Sequence, residues 1–461
     1  MKIVLIEPKS SGIHVYAGIK LPRLGLPIIG AILRSMSHQV IIFYEEINLI
    51  NWEFDWEEIR SADLIGISSI TCTIPRAFEI ADKAKKMGKL VVMGGPHVTF
   101  LPDEALDHCD FVVRGEGEET IIELVEWIEQ KKSVAELEKI DGLSFLALGK
   151  KQHNPDRPLI SDLSRFPFAD FSLIRGWEKR KNNIIPFQYS RGCPGKCPFC
   201  SVIKMFGRKM RYYDAQSAAN EIIHLHPKEI FFYDDNFGAL PKKTRELLEK
   251  IPAIPWSGQF KCDVYKNPEF MQLMKKKGCN RVYIGFESVN AATLKNFEKH
   301  YGIEDAKSLI ATCRKLKIDI HGMFITGTDE EKPEDIQRNV DFTIQEEICS
   351  VQFTMFTPLP GTQIFEEMKA DGRLIEPIDW GKYNGHFVVF FPKKMTPWQL
   401  QIETIKGYAK FYSKSRWWRL ARKLRLTEVW INSYARKILK EWEKEIEEKG
   451  FLEKLKKLSH E

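Results

Sequence analysis

Along the first 145 residues, apolar positions follow two periods in turn. Short runs rich in Ile, Val and Leu predict strands at 2–7, 40–44, 63–70, 89–93 and 110–114. Between them, apolar residues at helical spacing predict amphipathic helices near 26–36, 75–86 and 118–130. Strand, helix and strand in succession require parallel strands joined by right-handed crossovers, so a doubly wound parallel sheet of Rossmann-like form is expected. Such sheets bind ligands where their strands deliver carboxyl ends. Those ends carry 8–14, 68–73, Gly94-Gly95-Pro96-His97 and Gly115-Glu116-Gly117-Glu118. A polar, hairpin-like stretch at 142–158 and a loop at 161–170 read as a connector.

A second alternation follows, with strands predicted at 184–190, 229–234, 256–262, 281–287, 318–326 and 350–357. Helices are predicted between them at 215–225, 242–250, 268–277, 304–316 and 334–345. Six such units fall short of the eight in a full barrel, which predicts a six-stranded partial (β/α)6 TIM-like barrel. Beyond about 375 the strand signal fades and helical patterns run on. The expected α/β organisation is a sheet domain at 1–145, a linker at 146–183, the partial barrel at 184–375 and a mainly helical domain at 376–461. A length of 461 residues suits two or three domains, at roughly 150 residues each.

A hydrophobic fraction of 43% and a charged fraction of 29% are those of a globular chain. The net charge of +6 is too small an excess to point to nucleic acid, which is not an expected partner. The opening MKIVLIEP lacks the apolar core of a signal peptide, and no run approaches the ~20 apolar residues that cross a bilayer. A cytoplasmic location is expected, with association at the inner membrane face left open. Nine cysteines without an export signal do not suggest disulfides. Cys72, Cys109, Cys262, Cys279, Cys313 and Cys349 are scattered and read as small buried hydrophobes.

The other three are clustered. Cys193, Cys197 and Cys200 stand at C-x3-C-x2-C spacing, directly after the first strand of the second series. Three thiolates on one short loop can hold a four-iron cubane and leave its fourth iron open to a small molecule. A structural zinc wants four protein ligands, and no fourth Cys or His lies close in sequence; zinc with a distant ligand is the alternative.

This loop resembles the signature of the radical S-adenosylmethionine (SAM) superfamily, and the resemblance extends over 184–375. It implies that Cys193, Cys197 and Cys200 hold a 4Fe-4S cluster, with Phe199 in the aromatic position before the last cysteine. Asp234-Asp235-Asn236-Phe237 stands where the family contacts the methionine amino group; capping of the next helix is the alternative for the two acids. Gly285-Phe286-Glu287-Ser288 resembles the G-x-E-S motif, implying SAM contacts at Glu287 and Ser288. The segments 322–330 and 358–362 resemble the fifth- and sixth-strand motifs, with Thr328-Asp329 where Leu-Pro is commoner. Lys261 stands where Arg is usual, keeping the charge of a carboxylate contact but losing the two-pronged fork.

The first domain is similar to the cobalamin-binding domain of one large subgroup. The similarity implies cobalamin contacts from Ser68, Ser69, Thr71, Gly94, Gly95, Pro96, His97, Gly115 and Glu116, the glycines allowing close approach of a bulky flat ligand. The D-x-H-x-x-G motif of a lower axial histidine is absent and His14 does not belong to it, so binding without a histidine ligand is implied. For His97 an ordinary loop role stays open, as does a sheet that only supports or binds another nucleotide-like ligand.

The segments 379–401 and 410–418 resemble the tail of members related to hopanoid-lipid modifying enzymes. Ile431, Ala435, Ile438, Trp442 and Ile446 form one apolar stripe, and aromatic and basic residues interleave through 416–425. That mixture suits peripheral contact with an anionic membrane, while a helix packed on the barrel with a solvated basic face is slightly favoured. RNA is a weaker third option.

The resemblance as a whole implies an enzyme that cleaves SAM reductively at its cluster to a 5′-deoxyadenosyl radical. Hydrogen abstraction from an unactivated carbon and methyl transfer from methylcobalamin would follow, on a lipid or other hydrophobic small molecule, with a one-electron donor such as flavodoxin or ferredoxin. Cobalamin-assisted ring closure, carbon–carbon coupling or hydroxylation are rivals on the same scaffold. Methylthiolation would call for a second cysteine set that Cys72 and Cys109 do not supply. A non-catalytic corrinoid-binding or sensing protein would not need the three-cysteine loop.

Overall fold

The computed structural model describes residues 1–10, 12, 21–47, 56–180 and 183–459. It divides into two compact units, one built from 1–11, 20–194 and 201–233, the other from 12–19, 195–200 and 234–461. His14 and part of 8–14 lie outside the described residues.

In the first unit β1 (Lys2–Glu7), β2 (Gln39–Tyr44), β3 (Leu64–Ser68), β4 (Leu90–Gly94) and β5 (Phe111–Val113) are all parallel. β1, β3 and β5 are short apolar runs that bury both faces, as a parallel sheet under crossover helices requires. The helices Gly25–Ser35 and Glu118–Gln130 bring Ile32, Leu33, Leu124 and Val125 onto Ile3, Leu5 and Ile42. The stretch at 142–158 is more than a connector. β6 (Leu143–Ala147) and β7 (Lys150–His153) add an antiparallel hairpin beyond β5, giving the order β2-β1-β3-β4-β5-β6-β7. Leu143 and Phe145 are buried and anchor the hairpin, while Leu148 and Gly149 take the left-handed conformations that a tight two-residue turn demands. The order reverses at β1, with β2 on one side and β3 on the other, and a ligand crevice forms beside such a reversal.

The same unit holds β8 (Ile184–Phe187) and β11 (Glu229–Phe232), paired in parallel, and an antiparallel clip of β9 (Ser190–Arg191) with β10 (Arg211–Tyr212). The strand expected to run through 190 thus stops at Phe187, and Ser190 pairs with Tyr212 instead. The second unit holds β12 (Trp256–Phe260), β13 (Cys279–Glu287), β14 (Asp319–Thr326) and β15 (Ser350–Met355), parallel in succession. Their order is β15-β14-β13-β12, sequential as in a partial barrel.

An unprotected edge strand would offer unpaired backbone groups. At β15 three side chains answer them. Tyr412 OH accepts from Val351 N at 3.0 Å and donates to Val351 O at 2.9 Å, Tyr408 OH accepts from Phe353 N at 2.9 Å, and Arg416 donates to the Ile348 and Cys349 carbonyls. Arg416 is therefore buried structure, as a helix packed on the sheet requires. The apolar stripe is buried at Ala435, Ile438, Trp442 and Ile446, whereas Trp418 and Trp430 are 61% and 63% exposed. Among the described residues, no helix is long and apolar enough to cross a membrane.

Candidate functional site

The three-cysteine loop leaves the β9–β10 clip through Gly192, whose φ of 96° is left-handed. A Cβ there would lie 2.6 Å from the Lys209 carbonyl oxygen, so the turn needs glycine. Cys193 N donates to Gly207 O at 3.2 Å and Cys200 N to Cys197 O at 3.2 Å, which holds both ends of the loop. The three thiols form no disulfide and are half-buried, while the other six are buried as expected. Burial pushes the thiols of Cys262, Cys313 and Cys349 up to about 12, which keeps them protonated and inert. Among the described residues, no three His, Cys, Asp or Glu side chains gather as one metal ion needs; a cubane instead takes each thiolate at its own iron.

Glu287 ends β13 at a break in register after Gly285, with a left-handed φ of 61°. A non-glycine residue held there is strained, a feature that collects at binding sites. Its carboxylate accepts from Lys299 Nζ at 2.7 Å, and the two side chains are only 10% and 11% exposed. The Lys299 ammonium also lies 5.7 Å above the Phe199 ring, on the loop that carries Cys197. Burial alone would lower the Lys299 ammonium, but Glu287 and Cys197 outweigh it and hold it above the ordinary lysine value. Phe199 packs on Phe297 at 4.5 Å, and Tyr301 OH donates to the Gly285 carbonyl. Cys197, Phe199 and Glu287 are thus brought together through Lys299, which sequence reasoning missed along with Tyr301. Both sit in a polar stretch after the helix Ala291–Asn296, where no periodicity or motif marks them.

Ser288, expected to contact a ligand, is hydrogen-bonded within the protein. Its Oγ donates to Glu331 Oε1 at 2.8 Å and accepts from Asn290 N at 3.1 Å. Glu331 also accepts from Asn339 Nδ2 at 3.1 Å and Gly327 N at 2.9 Å. Burial pushes the Glu331 carboxyl up to about 7 despite these donors. The buried network ties the carboxyl end of β13 to that of β14, and Ser288 is spent within it.

At the Asp234–Asn236 segment, the next helix begins at Pro241 with Leu240 as its N-cap, so neither aspartate caps it. Asp234 is fully buried, and burial followed by repulsion from Asp234 pushes the Asp235 carboxyl up to about 7. Such a carboxyl is readily ionised by an arriving cation. Lys261 ends β12 half-buried, as the N-cap of the short turn Cys262–Lys266.

In the first unit, Ser69 N donates to Gly94 O at 3.1 Å, and a Cβ at Gly95 would lie 2.4 Å from Ser69 O. Thr99 Oγ1 bridges the neighbouring strand ends, donating to Gly95 O at 2.9 Å and accepting from Gly115 N at 3.0 Å. Ser68 ends β3, Thr71 starts the short turn Thr71–Thr73, and Pro96 opens the helix Pro96–Phe100. Ser69 Oγ is enclosed without a hydrogen-bond partner, an unanswered polar group that a ligand or water can satisfy. These strand ends, rich in glycine and small polar groups, fit a bulky flat cofactor.

Two residues expected to contact the cofactor have protein partners of their own. His97 is wholly buried with Nε2 3.5 Å from the Glu104 carboxylate, so it supports the turn from within. Glu116 commits both carboxylate oxygens, accepting from Arg191 at 3.1 Å, Arg211 at 2.6 Å and Ile160 N at 2.8 Å. Arg191, which immediately precedes Gly192-Cys193, also pairs with Glu118 at 2.6 Å. The Gly115–Glu118 turn is therefore built into the base of the cysteine loop.

Comparison with known proteins matches residues 187–343 to the radical SAM superfamily and residues 11–125 to the B12 binding domain. An uncharacterised methyltransferase of Pyrococcus horikoshii is 32% identical over 441 residues, covering 90% of this chain and 93% of its own. The bacteriochlorophyllide d C-12(1)-methyltransferase of Chlorobaculum tepidum is 30% identical over 399 residues, covering 84% and 83%. Among solved structures, the radical SAM methyltransferase TsrM of Kitasatospora setae, with cobalamin and a [4Fe-4S] cluster bound, aligns at a TM-score of 0.69 with 16% identity over 80% of this chain and 78% of that one. At that identity the likeness speaks for the fold.

Proposed function

Because the chain belongs to the cobalamin-dependent radical SAM methyltransferases, we propose that it methylates an unactivated carbon of a hydrophobic small molecule. Its cofactors are a 4Fe-4S cluster, SAM and cobalamin. When bound, the cluster supplies the electron that cleaves SAM to a 5′-deoxyadenosyl radical, and methylcobalamin supplies a transferable methyl group.

In this reading Cys193, Cys197 and Cys200 hold the cluster and leave one iron open. The single observation that carries it is the set of Phe199, Lys299 and Glu287, in which the ammonium lies over the thiolate loop and pairs with the end of β13. Glu287 and Lys299 present opposite charges to the amino-acid end of SAM. Asp235 answers its ammonium by releasing a proton, and Asp234, Asn236 and Lys261 line the neighbouring strand ends. Ser68, Ser69, Thr71, Gly94, Gly95 and Gly115 receive the face of cobalamin, Ser69 Oγ gaining the partner it lacks. We assign 1–145 to cobalamin, 184–375 to SAM and 376–461 to closure of the sheet edge, with 146–183 as linker. A flavodoxin or ferredoxin is the inferred electron donor.

A hydrophobic substrate accords with the bacteriochlorophyllide named for the Chlorobaculum relative. It also accords with peripheral contact between the Lys414–Arg422 helix and an anionic lipid surface, supported by exposed Trp418 beside Lys414, Arg419 and Arg422. Sedimentation with anionic rather than neutral vesicles tests that contact.

The function is tested by anaerobic reconstitution with iron, sulfide and cobalamin, followed by SAM turnover on candidate hydrophobic substrates. Formation of 5′-deoxyadenosine and S-adenosylhomocysteine together, with one methylene added to the product, supports methylation. A product that loses two hydrogens without added carbon overturns it in favour of ring closure.

A further inference from the structure

We propose that Lys299 sets the reduction potential of the cluster, through the positive charge it holds against the cysteine loop, with Glu287 as the counter-charge that limits the effect. This rests on the reading that Cys197 is a cluster ligand.

A lysine side chain only 11% exposed requires partners to offset its lost hydration. A single carboxylate would serve for a structural pair, and Glu287 at 2.7 Å supplies one. The same ammonium also lies 5.7 Å over the ring of Phe199, two residues beyond Cys197 on the loop. Its position is therefore set by the cysteine loop as much as by β13.

The consequence for one-electron reduction has a definite sign. Reduction adds one negative charge to the cluster, and a nearby cation stabilises that product more than the oxidised form. Net charge near the sulfurs is a recognised determinant of cluster potential. Exclusion of water strengthens the effect. Glu287 opposes it, because its negative charge lies against the same ammonium. Lys299 raises the potential, and Glu287 holds that rise in check.

The test is a spectroelectrochemical titration of the reconstituted full chain without SAM, following the reduced cluster by its electron paramagnetic resonance. Lys299→Met should lower the midpoint by a tenfold or larger change in the reduction equilibrium, about 59 mV for one electron. Lys299→Gln removes the charge but keeps a polar side chain and should also lie below wild type, while Lys299→Arg should stay near wild type. Glu287→Gln should move the midpoint the opposite way, which keeps the test decisive where Lys299→Met fails to assemble. Unchanged midpoints in Lys299→Gln and Glu287→Gln, with clusters intact, would overturn the inference. A wild-type chain that takes up no four-iron cluster would overturn the reading beneath it, and the inference with that.

Discussion

Gly285 lies under the side chain of Glu287, so close that a Cβ at 285 would sit 2.5 Å from Glu287 Oε1. The carboxylate folds back over the end of its own strand because that one position is bare. Glu287 is held in this pose from the other side by Lys299, while Tyr301 fastens the Gly285 carbonyl.

Gly285→Ala therefore displaces the Glu287 carboxylate without altering its chemistry. SAM affinity should fall tenfold or more, about 1.4 kcal/mol or above, with the iron content of the reconstituted protein unchanged. Equilibrium binding of SAM to the reconstituted variant checks both points. Affinity equal to wild type would remove Glu287 from the SAM site.

Much of this arrangement was legible from residue pattern alone. The apolar runs of β1 to β5 locate the first sheet because parallel strands bury both faces, and the cysteine spacing and the Gly285–Ser288 motif locate the site. Other parts were hidden for physical reasons. The β6–β7 hairpin is polar on one side and only Leu143 and Phe145 anchor it, so it reads as a connector. Lys299 and Tyr301 reach the site from a turn whose polar residues look like any solvated loop. Ser288, His97 and Glu116 belong to motifs that suggest ligand contacts, yet tertiary structure gives their polar atoms other partners.

Asp235 makes the stability of the ligand-free protein depend on pH. Its carboxyl titrates near 3.8 when unfolded and is raised to about 7 in the fold, by burial first and by Asp234 second. Between those values the unfolded chain has released the proton and the folded chain has kept it. This group's contribution is therefore full below about 4, declines as pH rises toward about 7, and is lost above it, amounting to ~4 kcal/mol at most. Asp235→Asn should raise the melting temperature at pH 8 and leave it nearly unchanged at pH 4. Thermal unfolding at the two pH values checks this, and a variant no more stable at pH 8 would contradict the assignment.

Glu116 supports the base of the cysteine loop through two buried arginines. Glu116→Ala leaves Arg191 and Arg211 short of their counter-charge, a loss of ~3–5 kcal/mol where a buried pair is broken from one side. Chemical unfolding should show it, together with weaker cluster retention. Glu116→Gln should be milder, because one amide oxygen still accepts.

Tyr412 answers both backbone groups of Val351 at the outer edge of the sheet. Tyr412→Phe removes that hydroxyl while keeping the ring, and should cost ~1–3 kcal/mol by leaving buried groups unpaired.

The most direct measurement is the iron and acid-labile sulfide content of the anaerobically reconstituted chain, read beside its magnetic resonance after reduction. The account predicts four irons and four sulfides per chain, a reduced signal that changes when SAM is added, and loss of both in Cys197→Ala. A wild-type chain that binds one zinc and no sulfide, or a cluster whose signal ignores SAM, would contradict it.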